Sequence, residues 1–148
     1  IIPVSLALTQ SAIETGWGTS RFAQDGNALF GQWTWNDASG IVPLGREVGA
    51  THSIKRFNDL ISAVEGYSLN LNTHSAYQDF RTERAKFSRN KIIVVDKDLL
   101  FTLLYYSELG FAYIDSLTNI IGANNLRSFD NVKLQKTAYQ KLKLSPIP

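Results

Sequence analysis

The spacing of apolar residues changes twice along this 148-residue chain, and this change constrains the fold more than any other feature. Apolar residues follow helical spacing up to Thr15, whereas residues 26–57 carry short alternating runs rich in Gly, Asn and aromatic side chains. Helical spacing returns after Asn58-Asp59, a good pair for a helix N-cap. We therefore predict one domain over residues 1–148, mainly α with a small antiparallel β-lobe inserted.

The ends of the helices are predicted from local signals. Pro3 suits the start of the first helix and Gly16 its end, so this helix stops at Glu14 or Thr15. A further turn is expected at 20–23, and later helices at 60–71, at 77–89, from about 98 to 109, and after Gly110. The apolar segment 99–109 is expected to form the central helix of the core, flanked by the first helix. The polar residues 130–148 are expected to form a loosely held tail.

Composition excludes several classes of protein. The net charge of +2 supports only weak attraction to an anionic polymer, so nucleic acid is not an expected partner. The absence of Cys excludes disulfides and thiolate metal sites, and the isolated His52 and His74 have no metal-ligand spacing. No apolar run approaches the roughly 18 residues of a membrane span. Because the chain opens with Ile1-Ile2-Pro3 and has no basic leader, we interpret it as a processed or truncated piece.

Glu14 has the clearest potential for chemistry. A glycosidase needs a carboxylic acid that is still protonated near neutral pH, so that it can protonate the leaving glycosidic oxygen. The negative end of the helix dipole disfavours a carboxylate at this position, and Trp17 can desolvate the group. The alternative is an ordinary surface glutamate beside a capping glycine.

A longer motif surrounds Glu14. The run Gln10 to Ala23 (QSAIETGWGTSRFA), followed by Gly26 to Gly31 (GNALFG), resembles the signature of the glucosaminidase superfamily, approximately AQAAxESGWGTSxFA and then GNNLFG. Segments 41–50 and 70–77, with Arg81, resemble its Bax-like branch from Gram-negative bacteria. The resemblance implies a lysozyme-like α+β fold and Glu14 as the catalytic acid. It also implies cleavage of peptidoglycan glycan strands after N-acetylglucosamine, no metal or other cofactor, and a location in the periplasm or cell envelope.

The chain departs from the pattern of the superfamily at a few positions. Thr9, Ser11 and Thr15 are mild replacements, and Ala28 removes a possible hydrogen bond from the loop. Many relatives carry a tyrosine in a Y-A-T-D segment, for which the matching segment here is 71–74 and contains no tyrosine.

Many relatives also carry a second carboxylate in the β-lobe. Glu47 is the first candidate because it lies between two predicted strands, with Asp37 and Glu65 behind it. The alternative for Glu47 is a solvated hairpin charge, either paired with Arg46 or free.

Aromatic and polar residues near the motif are candidates for binding the substrate. Trp33 and Trp35 alternate with Thr34, so in a strand both rings face one side, as a platform for sugars or as part of the core. Asn27 and Phe30 are expected to line the cleft. The complete set of candidates is Trp17, Asn27, Phe30, Trp33, Trp35, Asn72, His74 and Tyr77. Packing between helices is the alternative for His74 and Tyr77.

Together with the resemblance, these residues favour an endo-β-N-acetylglucosaminidase acting on peptidoglycan. Glu14 protonates the glycosidic oxygen, and either a β-lobe carboxylate or the N-acetyl group of the substrate stabilises the other face. One alternative is cleavage of the other glycan linkage, as in lytic transglycosylases and muramidases, although the G-L-M-Q motif frequent in those enzymes is absent. A second alternative is a non-catalytic module that binds peptidoglycan.

Overall fold

A computed structural model of the protein describes residues 1–89 and 95–133. In this part of the chain the helices are α1 (Val4–Thr15), α2 (Arg21–Gly26), α3 (Leu60–Thr73), α4 (Gln78–Arg89), α5 (Lys97–Phe101) and α6 (Phe111–Ala123). The strands are β1 (Trp33–Thr34), β2 (Gly40–Ile41) and β3 (Ser53–Lys55), and 3-10 turns cover Asp37–Ser39, Ser75–Tyr77 and Leu126–Phe129. The prediction of a mainly α protein with a small antiparallel β-lobe is confirmed.

Helix α1 ends where the sequence predicts and begins with help from a distant residue. Gly16 adopts the left-handed conformation and Trp17 follows with a φ of 59°. Pro3 provides no side-chain cap, but Asp130 accepts hydrogen bonds from the Ser5 backbone nitrogen (2.7 Å) and from Ser5 Oγ (2.8 Å). Asp130 is buried, so it does not belong to a loosely held tail. The rest of that predicted tail, from residue 134 onward, lies outside the described residues.

Three other helices begin at side-chain caps. Ser20 accepts a hydrogen bond from the backbone of Ala23, Asp59 from that of Ser62, and Asp96 from that of Leu99. These caps satisfy backbone donors that have no partner within the helix, and they fix the start of α2, α3 and α5. The predicted helix at 60–71 is therefore confirmed as α3, and that at 77–89 as α4.

The prediction of one central helix over 99–109 is wrong. Helix α5 ends at Phe101, and Leu103, Leu104 and Tyr106 donate to carbonyls three residues earlier, as in consecutive turns. Local side chains compete for the backbone here: Thr102 Oγ1 donates to the Leu99 carbonyl at 2.6 Å, and Ser107 Oγ accepts from the Leu109 nitrogen at 3.3 Å. Leu99, Leu100 and Leu103 are nevertheless buried in the core, whereas Leu109 is 63% exposed. Helix α1 packs against α6 and against the 3-10 turn Leu126–Phe129.

The core is formed mainly by the helices α1 and α3–α6 and by the turns that join α5 to α6, which together we call the helical body. Most of its leucine and isoleucine side chains come from helix faces with the predicted 3.6-residue spacing, and Leu103 comes from the turns. The buried side chains are Leu6, Phe30, Tyr67, Leu71, Phe80, Val95, Leu99, Leu100, Leu103, Tyr113, Ile114, Leu117 and Ile121. No helix among residues 1–89 and 95–133 is long and apolar enough to cross a membrane.

Residues 26–57 form the β-lobe, whose sheet has the order β1-β3-β2. Both pairs are antiparallel: Trp33 faces Ile54 across one, and Gly40 faces Lys55 across the other. Gly40 is required because a Cβ there would lie 2.7 Å from the Ser53 Cβ. Each strand has only two or three residues, so most of the lobe consists of loops.

Candidate active site

Glu14 lies half-buried in the last turn of α1, facing the loop that enters the β-lobe. Gly31 in that loop has a φ of 59°, and a Cβ there would lie 3.2 Å from Glu14 Oε2. The loop therefore passes close to the carboxyl group, and glycine is the residue that permits both the backbone conformation and the approach. One side of the Glu14 carboxyl is closed by backbone.

Tyrosines surround the other side of Glu14. The Tyr113 hydroxyl lies 3.5 Å from Glu14 Oε1. The Tyr106 ring stacks on the Tyr113 ring with 5.7 Å between centroids, and Tyr77 packs against Tyr106 at 6.0 Å. Burial raises the pKa of each of these phenols, so all three remain neutral hydroxyls at physiological pH.

Burial raises the pKa of the Glu14 carboxyl, and the hydrogen bond from Tyr113 opposes part of that rise. The position at the C-terminal end of α1 acts in the same direction as burial, since the helix dipole disfavours negative charge there. Trp17 was predicted to desolvate this group, but it is 63% exposed, and the groups found next to the carboxyl are Tyr113 and Gly31. A carboxyl of this kind is suited to donating a proton.

The tryptophans of the β-lobe face solvent. Trp33 is 55% exposed and Trp35 72%, with 6.5 Å between their ring centroids. The Trp33 ring also stacks on His52 at 4.1 Å, with 17° between the planes. These three rings, which we call the aromatic platform, are therefore not part of the core. The platform begins two residues after Gly31, next to the loop that contacts Glu14.

The three candidate carboxylates differ in their surroundings. Asp37 accepts hydrogen bonds from Ser53 Oγ and from Arg46 Nη1, the latter at 3.1 Å, and these bonds lower the pKa of Asp37. Arg46 therefore pairs with Asp37 and not with its neighbour Glu47. Glu47 is exposed on the loop between β2 and β3, and Glu65 is exposed on α3. Within the described residues, neither Glu47 nor Glu65 forms an ion pair.

Asn27 and Phe30, both predicted to line the cleft, hold the 26–31 loop in place. Phe30 is buried and its ring stacks on Tyr67 at 4.0 Å, while its carbonyl accepts a hydrogen bond from the Tyr106 hydroxyl at 3.4 Å. Asn27 ends α2 in the left-handed conformation and donates from Nδ2 to the Phe57 carbonyl at 3.1 Å. These contacts fix the path of the loop and thereby place Gly31 beside Glu14.

The candidates in the last turn of α3 and just after it differ in whether they approach Glu14. Asn72 accepts a hydrogen bond from Arg84 at 2.6 Å on the surface. His74 is exposed, and its Nδ1 accepts from the Ala76 nitrogen at 3.2 Å. Tyr77 alone of the three packs against Tyr106 and interacts electrostatically with Glu14. The structure thus groups Tyr77 with Glu14.

The family of the chain follows from comparison with known proteins. A family model described as mannosyl-glycoprotein endo-beta-N-acetylglucosaminidase matches residues 1–126. The chain belongs to the glucosaminidase family. It is 34% identical over 113 residues to Protein bax of Escherichia coli (strain K12), in a match that covers 76% of this chain and 39% of that protein. The predicted resemblance to the Bax-like branch is confirmed, although the match spans only about two fifths of the curated relative. No solved structure matches the chain.

The candidate site contains residues that the sequence alone did not indicate. Tyr106 and Tyr113 provide the tyrosines beside Glu14, although segment 71–74 contains none. Gln10 is completely buried one turn before Glu14 and hydrogen-bonded to Tyr113 at 2.9 Å. A polar residue on the same helical face as Leu6 was the available signal for Gln10. The tyrosines gave no comparable signal, since they are far from Glu14 in sequence.

In the described part of this glucosaminidase-family chain, no group of three or more His, Asp, Glu or Cys residues is arranged to hold a metal ion. The candidate site itself consists of one half-buried carboxyl, its tyrosine neighbours and the exposed side chains of the β-lobe.

Proposed function

We propose that this glucosaminidase-family domain hydrolyses the glycan strands of bacterial peptidoglycan as an endo-β-N-acetylglucosaminidase, with Glu14 as the general acid. The observation that carries the proposal is the half-buried Glu14 carboxyl, whose pKa is raised by burial and which lies against Gly31 at the entrance to the β-lobe. Such a group keeps its proton at a pH where an exposed glutamate has lost it, and it delivers that proton to the glycosidic oxygen as the bond breaks.

The second catalytic group is proposed to be Glu47. Asp37 already accepts hydrogen bonds from Ser53 and Arg46, and Glu65 lies on α3, outside the β-lobe. Glu47 is an exposed carboxylate on the loop between β2 and β3. Its role is to act on the face of the sugar opposite Glu14, either directly or through water. The chemical alternative for this face is the N-acetyl group of the substrate, and the Glu47 variant described in the Discussion separates the two.

The aromatic platform is proposed to bind the sugar rings. Trp33 and Trp35 expose wide apolar faces close to the Glu14 loop, and sugars stack on such faces through their C–H groups. Trp17 is exposed beside the end of α1 and is proposed to contact the same glycan strand of the substrate. The periplasm or cell envelope of a Gram-negative bacterium is the proposed location because the polymer lies there.

The direct test of the reaction uses purified cell walls. The protein is expected to reduce their turbidity and to release fragments with N-acetylglucosamine at the reducing end, as read by mass spectrometry. Fragments that end only in muramic or anhydro-muramic acid would assign the protein to the muramidases or lytic transglycosylases. Binding without clearing would make it a non-catalytic peptidoglycan-binding module.

Glu14→Gln tests the acid. The amide keeps the shape of the side chain but donates no proton, and general acid catalysis contributes typically 10²–10⁴-fold, so activity is expected to fall by at least about 100-fold. The variant is expected to bind cell walls and to have the same melting temperature as the wild-type protein. Glu108→Gln, an exposed glutamate of the helical body, is the matched control and is expected to leave activity unchanged.

A further inference from the structure

A buried amide lies behind the catalytic candidate. Gln10 precedes Glu14 by one turn of α1, and its side chain lies between two tyrosine hydroxyls. Tyr67 donates from its hydroxyl to Gln10 Oε1 at 2.6 Å, and Gln10 Nε2 donates to the Tyr113 hydroxyl oxygen at 2.9 Å. All three side chains are buried, with no more than 1% of their surface exposed. A polar group in such a position is costly unless it is fully hydrogen-bonded, so this arrangement is specified by the fold.

The direction of these hydrogen bonds determines where the Tyr113 hydrogen points. A phenol has one hydrogen to donate and also accepts hydrogen bonds. Because Gln10 Nε2 donates to the Tyr113 oxygen, the Tyr113 hydrogen is directed to its other neighbour, Glu14 Oε1, at 3.5 Å. This distance is at the outer limit of a hydrogen bond, as is common at catalytic groups before substrate binds.

A donor at this position favours the carboxylate over the acid. When Glu14 protonates the leaving oxygen it becomes an anion in a half-buried site, where few other groups can solvate it. The Tyr113 hydroxyl is a neutral donor that can form a hydrogen bond to the newly formed carboxylate. The titratable groups that face Glu14 are Tyr113 from α6, Tyr106 from the preceding turns and Tyr77 from the 3-10 turn before α4, and all three are neutral phenols.

We propose that Gln10 and Tyr113 are positioning residues for Glu14: the buried amide directs the Tyr113 hydrogen at the Glu14 carboxyl, so that this carboxyl gives up its proton more readily. The inference rests on the proposed function for its effect on catalysis. Its effect on the proton affinity of Glu14 is independent of any substrate.

The sign of the expected effect follows from the contacts. The hydrogen bond from Tyr113 lowers the pKa of Glu14, so Tyr113→Phe raises that pKa further. A general acid works only while protonated, so its activity is lost as pH rises through its pKa. The alkaline limb of the kcat/KM profile therefore moves to higher pH in Tyr113→Phe. At the optimum kcat falls by about 10-fold, because the new carboxylate has lost a hydrogen-bond donor.

The experiment compares Gln10→Met, Tyr113→Phe and the double variant. Each is studied by the pH profile of kcat/KM and by NMR titration of a ¹³C-labelled Glu14 carboxyl, which needs no substrate. Gln10→Met is expected to shift the Glu14 midpoint upward by less than Tyr113→Phe does. In the Tyr113→Phe background it is expected to cause no further shift, because Gln10 acts through the missing hydroxyl. Thr9→Val removes a neighbouring buried hydroxyl that donates to the Ser5 carbonyl within α1, and it is the matched control with an unchanged midpoint.

Two results would overturn the inference. One is an unchanged Glu14 midpoint in Tyr113→Phe, a variant that loses a single oxygen atom and keeps the ring in the core. The other is an additive shift in the double variant, because Gln10 would then act on Glu14 by another route. If the shifts occur as expected but wild-type protein cleaves no glycan, the positioning holds and the proposed function fails, so the two failures are distinguishable.

Discussion

The helical body and the β-lobe supply opposite sides of the Glu14 site, and they are built by different means. In the helical body polar groups such as Gln10, Tyr67 and Tyr113 are buried and hydrogen-bonded to each other. In the β-lobe, strands of two or three residues support Trp33 and Trp35, whose rings are mostly exposed. The proposed acid is thus held by a packed core, whereas the rings of the aromatic platform lie on a small, solvated sheet and its loops.

This difference has a functional meaning. An acid must hold a fixed geometry and a shifted pKa, and both need burial and packing. A surface that binds a long polymer must be accessible from solvent, so its side chains are less closely packed. We therefore expect substitutions in the helical body to affect stability and proton transfer, and substitutions in the β-lobe to affect substrate binding.

The largest expected effect comes from one substitution made in both regions. Leu117 on α6 is completely buried, and Leu117→Ala is expected to lower the free energy of unfolding by about 2–5 kcal/mol, through lost burial and the cavity left behind. Leu44 in the β-lobe is 92% exposed, and Leu44→Ala is expected to change it by less than about 0.5 kcal/mol. Urea unfolding followed by circular dichroism measures both. Equal losses would mean that the two regions are packed alike.

Glu47→Gln asks whether the β-lobe takes part in catalysis. With Glu47 as the second carboxylate, activity on peptidoglycan is expected to fall by about 100-fold, as for Glu14→Gln, while the melting temperature stays unchanged. Glu108→Gln serves again as the exposed control. A loss of less than about 10-fold would instead assign the opposite face of the sugar to the N-acetyl group of the substrate, and the β-lobe would then only bind.

Asp130 tests how the helical body holds α1. Asp130→Ala leaves the buried nitrogen and hydroxyl of Ser5 without their acceptor, so the free energy of unfolding is expected to fall by about 2 kcal/mol. Asp115→Ala, an exposed aspartate on α6, is the control with little effect. If the two variants melt at the same temperature, the contact between Asp130 and Ser5 does not stabilise the fold.

Trp33→Ala is expected to have the smallest of these effects. Loss of one stacking ring costs about 1 kcal/mol of binding, so KM for peptidoglycan fragments is expected to rise several-fold with little change in kcat. Tyr105→Ala removes an exposed aromatic ring from the helical body and is expected to leave KM unchanged. A fall in kcat at constant KM would contradict the binding role of the platform.

Features that depend on local signals could be predicted from the sequence. The end of α1 at Thr15 and the start of α3 after Asp59 follow from a glycine and a capping aspartate, and both are found as expected. The extent of the β-lobe follows from the change in residue spacing. Glu14 was also identified from a local motif.

Features that depend on distant contacts could not be predicted. The apolar residues 99–109 favoured a single helix, but the hydroxyls of Thr102 and Ser107 compete for its backbone, and turns result. Phe30 lies in a loop motif that suggested a cleft residue, yet it stacks on Tyr67, 37 positions further along. The hydrogen bonds that connect Tyr67 and Tyr113 with Gln10 and Glu14 join residues 57 to 103 positions apart. No local sequence pattern predicts such pairs.

The central claim is that burial in the helical body raises the pKa of the Glu14 carboxyl, and titration of Glu14 in the folded protein tests it most directly. The measurement follows the ¹³C chemical shift of the Glu14 carboxyl against pH, with Glu14→Gln to assign the signal and the urea-unfolded chain as reference. Because burial disfavours the carboxylate, we predict a midpoint in the folded protein above that of the unfolded chain. A folded midpoint equal to or below the unfolded one would contradict the account.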